Sequence, residues 1–135
     1  MLINRPNIVF IVADQFRGDT LHCAGHSDIH TPTYDRLAAE GVRFTNAYTP
    51  NPICVPARAT MITGNYSHKC TGTKNNGGEI RSDQARLPEL LADSGYATYA
   101  SGKLHYVPYN APGEPRLTHG FQHWASAESG RIIKQ

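Results

Sequence analysis

An α/β fold with a partly parallel sheet is predicted by three observations on this 135-residue chain. Strand-length apolar runs alternate with helical ones, the order that strand–helix–strand units produce. The first run, Asn7 to Ala13, is continuous and β-branched, the mark of a strand covered on both faces. Each main helical stretch stops at a glycine: Gly41, Gly64 or Gly95. The length suits one domain with a single core, since domains commonly run to about 100–150 residues.

The first predicted strand ends abruptly at Asp14-Gln15, and residues 17–30, rich in Gly, His, Asp and Ser, read as a loop. Thr31-Pro32 opens a helix, with Thr31 as N-cap, Pro32 in the first helical position, and Tyr34, Leu37 and Ala38 on one face. Val42 to Tyr48 alternates and predicts a second strand. The proline-rich stretch Thr49 to Pro56 is a loop, and from Pro56 a helical run reaches Thr63. Residues 65–85 are polar, with a turn expected at 75–78. A helix from Leu87 to the Gly95 stop and a third strand from Tyr96 to Ser101 follow. After Pro108, further prolines at 112 and 115 predict irregular chain.

Composition narrows the partners. A hydrophobic fraction of 39% and a charged fraction of 18% exclude a disordered chain. The longest apolar run, Ile8 to Ala13, is far short of the ~20 residues a spanning helix needs, so no membrane association is expected. Thirteen basic against eleven acidic residues leave a net charge of +2, and the tyrosines and Trp124 form no stacking pattern; nucleic acid is not an expected partner. Cys23, Cys54 and Cys70 are an odd set without a C-x-x-C pair. That set, with no leader-like apolar segment at the N-terminus, predicts reduced thiols in a cytoplasmic setting. His22, His26 and His30 recur every four residues, but Gly25 breaks a continuous helix, so loop roles are favoured over a metal site. His119 and His123 are expected to pack.

Ligands of open α/β sheets bind at the carboxyl ends of strands. Three places put reactive groups there or at a helix start: Asp14, the Cys54 loop, and Lys103 with His105. Cys54 is expected just before a helix whose free N–H groups favour an anion, with Arg58 in the first turn to bind that anion bidentately. The C-x-x-x-R spacing differs from the C-x5-R loop of cysteine-dependent phosphatases.

The run Cys54-Val-Pro-Ala-Arg-Ala-Thr-Met-Ile-Thr-Gly64 resembles the signature of the type I sulfatases. Arg5 to Gln15 is similar to that family's opening strand and metal-binding turn, Thr31 to Tyr48 to its first helix and next strand, and Ser101-Gly-Lys-Leu-His105 to its G-K-x-H element. The resemblance implies an alkaline phosphatase-like α/β/α sandwich with a largely parallel mixed sheet, residues 1–135 being the N-terminal portion of the catalytic domain and the fold incomplete in this chain. It implies a sulfuric ester hydrolase in which Cys54 is oxidised to formylglycine, whose hydrate attacks the sulfur of a sulfate ester. By the same match Arg58 holds the diol, Lys103 contacts sulfate and diol, and His105 orients the diol. Asp14, Gln15 and residue 54 become metal ligands; their oxygens suit calcium, or magnesium or manganese, better than zinc.

Gln15 departs from the commoner paired aspartates and is similar to the Asp-Gln turn of choline-sulfate sulfatases and phosphonate monoester hydrolases. The implied partners are a small-molecule or carbohydrate sulfate ester and a formylglycine-generating maturation enzyme. Phosphonate monoester or phosphodiester hydrolysis, and a non-catalytic anion- or partner-binding domain, are the alternative readings. Two side-chain ligands and a diol are few for a hard cation, so the isolated chain is expected to bind calcium weakly and to hydrolyse little.

Overall fold

The computed structural model describes residues 5–72, 75–107, 118–128 and 131–134. Two compact units divide the chain, Met1–Ala47 and Tyr48–Gln135.

The first unit is built around helix α1, Pro32–Glu40, preceded by two short 3₁₀ turns, Gly18–Thr20 and His22–Ala24. Thr31 stands at the N-cap position and Pro32 begins the helix, as the sequence predicts. The Thr31 hydroxyl serves the preceding loop instead of the helix end. It accepts the His22 N–H at 3.0 Å and donates to Asp35 Oδ1 at 3.1 Å. Asp35 also accepts the Cys23 N–H at 2.8 Å, and its other oxygen lies 3.3 Å from His22 Nδ1. His26 Nδ1 accepts from the Asp28 and Ile29 amides, both at 3.3 Å. Loop 22–31 is therefore shaped by its own histidines and one helical carboxylate.

The strands expected at 7–13 and 42–48 are not formed. Val9 is 80% exposed, and Val42, Phe44 and Tyr48 are equally open, against the expectation of a strand covered on both faces. A strand is a pairing as much as a local conformation. Among the described residues neither segment has a hydrogen-bonded neighbour, so apolar content and alternation had nothing to pair with.

The second unit holds the core. Helix α2, Cys54–Thr63, turns Val55, Ala59 and Ile62 inward at i, i+4 and i+7, with Pro56 beside them. Gly64, at φ 68°, ends the helix by donating its N–H to Thr60 O. A short helix α3, Ser67–Cys70, lies within the stretch read as polar loop and buries Cys70 against α2. Helix α4, Leu87–Asp93, starts with Glu89 Oε2 accepting the Arg86 N–H at 3.2 Å.

A three-stranded sheet completes the unit, in the order β1 (Tyr99–Gly102), β2 (His123–Glu128), β3 (Arg131–Lys134). The β1–β2 pair is parallel and the β2–β3 pair antiparallel, so the sheet is mixed. Strands β2 and β3 occupy the region beyond Pro108 where irregular chain was expected. Small and polar residues of β2 conceal it from propensity, and its pairing creates it. Thr98 N–H donates to Gln122 Oε1 at 3.0 Å while Gln122 N–H donates to Thr98 Oγ1 at 3.1 Å. That reciprocal clamp sets the parallel register one residue before Tyr99 meets His123. Trp124 of β2 is 4% exposed, and Leu104 and Val107, which follow β1, are buried as well. The prolines at 112 and 115 lie outside the described residues.

Candidate active site

Cys54 is the first residue of α2, two positions earlier than the helix start expected at Pro56. A residue before proline is biased away from helical geometry, yet Val55 is helical here, and its amide has a partner outside the helix. That partner is Asn76 Oδ1, at 3.0 Å. The Cys54 thiol is half-buried and not in a disulfide.

One turn along, Arg58 is 7% exposed. Its Nη1 donates to Lys103 O at 2.7 Å and, more loosely, to Leu104 O at 3.5 Å. The guanidinium thus grips the backbone of the loop that follows β1. On that loop Lys103 extends back to the helix, its Nζ 4.0 Å from Cys54 Sγ. Lys103 thus brings a cation to residue 54, and Arg58 holds the backbone of the loop that carries it. Arg58, expected from the sequence to bind an anion and hold the diol, here braces the loop that delivers Lys103.

His105, two residues on, is 1% exposed and sits at φ 43°. Among the described residues only Gln15, His105 and His119 combine a side chain with positive φ. Two of those three are residues that the sequence nominates for the site. Such geometry costs free energy and persists where surroundings impose it, often at functional positions.

Asp14 and Gln15 form an exposed turn of the first unit, Gln15 at φ 52°. Their carboxylate and amide oxygens have the hardness that calcium or magnesium favours. Their number does not fill a coordination sphere, and no group of three or more His, Cys, Asp or Glu able to hold a metal occurs among the described residues. The structure therefore unites Cys54, Arg58 and Lys103, sets His105 on the Lys103 loop, and leaves Asp14 and Gln15 with the first unit. Asn76 was read only as part of a turn. Its signal in sequence is indirect: Ile53, the residue before the helix, has no side chain able to cap it.

The site is thus a helix start carrying a thiol, with a lysine beside it and an arginine one turn along, in an α/β frame. The chain belongs to the sulfatase family, whose sequence profile matches residues 6–131. It is 39% identical over 121 residues to an N-acetylglucosamine-6-O-sulfatase of Bacteroides thetaiotaomicron, covering 90% of this chain and 20% of the relative. An arylsulfatase of Clostridium perfringens is 36% identical, covering 97% of this chain and 28% of that protein. The solved structure of BT4656 in complex with its substrate D-glucosamine-2-N,6-O-disulfate superposes with a TM-score of 0.78 at 33% identity, over 97% of this chain and 28% of that one. The fold is accordingly the α/β, alkaline phosphatase-like one of its structural neighbours. The chain spans between a fifth and three tenths of the length of these relatives.

Proposed function

We propose that the protein is a sulfuric ester hydrolase acting on a carbohydrate sulfate, with residue 54 as the nucleophile's position. The observation that carries the reading is the meeting of Cys54, Arg58 and Lys103 from segments 45 residues or more apart in sequence. Cys54 oxidised to formylglycine by a maturation enzyme would supply, as its hydrate, one hydroxyl to attack sulfur as the ester's alcohol leaves and a second whose deprotonation releases sulfate as the aldehyde returns. Lys103 binds a sulfate oxygen and balances charge beside residue 54. Arg58 fixes the 102–105 loop so that this ammonium stays in place, and adds its own positive charge. His105, buried on the same loop, orients the hydroxyl that reacts. Asp14 and Gln15 would hold a hard divalent cation, calcium or magnesium or manganese, as part of its donor set. The sugar sulfate is proposed because the relatives include N-acetylglucosamine and N-acetylgalactosamine 6-O-sulfatases.

Among the described residues no helix is long and apolar enough to cross a membrane; Cys23 and Cys70 are free thiols, which fits the reduced, cytoplasmic setting we propose. Residues 1–135 are proposed as the N-terminal portion of the catalytic domain. Turnover of an aryl sulfate, an aryl phosphonate monoester and a 6-O-sulfated glucosamine by the full-length protein, with mass spectrometry of the peptide bearing residue 54, tests the reading. Formylglycine at 54 and sulfate release abolished by Cys54→Ala are expected. Unmodified cysteine with full activity overturns the nucleophile, and faster phosphonate turnover assigns the site to that ester class.

A further inference from the structure

Helix α2 begins where its own sequence cannot finish it. The leading N–H groups of a helix need acceptors from outside. Ile53, in the capping position, has no side-chain oxygen, and Pro56 has no N–H. Val55 is fully buried at 0% exposure, so water cannot take its amide. A buried amide without an acceptor is costly, and the acceptor here comes from Asn76, 21 residues along the chain. The segment bearing Asn76 is held for the task. Asn75 Oδ1 accepts the Gly77 N–H at 2.9 Å, Gly78 is buried, and Arg81 N–H donates to Cys70 O at 2.8 Å, tying the segment's far end to α3.

We propose that Asn76 is a positioning residue for residue 54. Its amide oxygen fixes the first turn of α2 through the Val55 peptide, and with it the direction in which the neighbouring side chain leaves the helix. This rests on reading residue 54 as the nucleophile's position. A neutral acceptor also suits the place: a carboxylate would make the same bond but repel an anionic ester arriving beside Lys103 and Arg58.

Two variants of the full-length protein separate these properties. Asn76→Ala removes the acceptor; Val55 amide exchange should quicken by about fivefold or more, the effect of a lost helix cap. Its kcat should fall by about tenfold while KM stays within about twofold, as expected when a reacting group is misdirected but substrate contacts remain. Asn76→Asp keeps the acceptor, so Val55 exchange should match the parent while KM for the sulfate ester rises. Parent-like exchange and kcat in Asn76→Ala overturn the proposal. Should that variant not fold, fast Val55 exchange in Asn76→Asp overturns it and parent-like exchange supports it. Amide exchange needs no turnover, so a parent protein without sulfatase activity would sink the functional reading while still testing the role of Asn76 at the helix.

Discussion

Arg58 carries the largest consequence of any single side chain in the site. It is nearly buried, and its partners are backbone carbonyls of Lys103 and Leu104. Lysine at position 58 keeps the charge, but its shorter side chain ends in a compact, strongly hydrated ammonium that does not reach where Nη1 makes both contacts. Hydrogen bonds from charged groups contribute about 1.5–3 kcal/mol, so Arg58→Lys should lower kcat/KM by roughly ten- to a hundredfold. Because the effect passes through the loop carrying Lys103, the double variant with Lys103→Ala should lose less than the two single losses multiplied. Full additivity in that cycle would separate the two residues. The sequence exposed Cys54, Arg58, Lys103 and His105 through their resemblance to family motifs, whereas Asn76 stayed hidden. A cap supplied from 21 residues away leaves no local pattern, and only the uncapped Ile53 hints at it.

Helices α1, α2 and α4 are legible in the sequence because their signals are local, whereas α3, four residues in a polar stretch, is not. Thr31-Pro32 at one end of α1, Gly64 at the end of α2 and Gly95, at φ 87° beyond α4, act within a few residues of themselves. Strands are poorly legible for the opposite reason. Ile8 to Val12 has strand composition without a partner among the described residues, and β2 has a partner without strand composition. The Thr98–Gln122 clamp, 24 residues apart, decides the matter and is invisible to periodicity. In α2, Ile62 is 5% exposed on the inward stripe, so Ile62→Ala should destabilise the second unit by about 2–5 kcal/mol, read by denaturant unfolding.

In the first unit, partial burial alone would raise the Asp35 carboxyl. The Cys23 amide, the Thr31 hydroxyl and His22 outweigh it and hold Asp35 below the ordinary carboxylate value. Its contribution to stability is therefore complete above the unfolded value near ~3.9 and is lost as pH falls through the lower folded one. Exchange of the Cys23 amide should accelerate across that acidic window. Asp35→Asn should remove the acceleration, and an unchanged acid profile in the variant would exclude Asp35 as its source.

At the scale of the molecule, acid acts on the second unit through His119. Burial, and then the Arg86 guanidinium, push its imidazole from the ordinary 6.5 down to about 4, with Tyr106 edge-on at 4.9 Å between ring centroids. Between those two values the unfolded chain holds the proton and the folded chain does not, so acid favours unfolding. Stability from this group is complete above pH 6.5 and declines toward pH 4. His119→Gln should flatten the melting temperature across that window, and an undiminished slope would place the acid sensitivity elsewhere. The grip of Arg58 on peptide carbonyls has a consequence of another kind. Every residue type offers the same carbonyl, so the brace does not depend on which side chains the loop displays. A change in the Lys103 side chain would therefore alter the charge displayed beside residue 54 without removing the carbonyl that Arg58 holds. A loop anchored by its backbone can exchange such a side chain without first losing its frame.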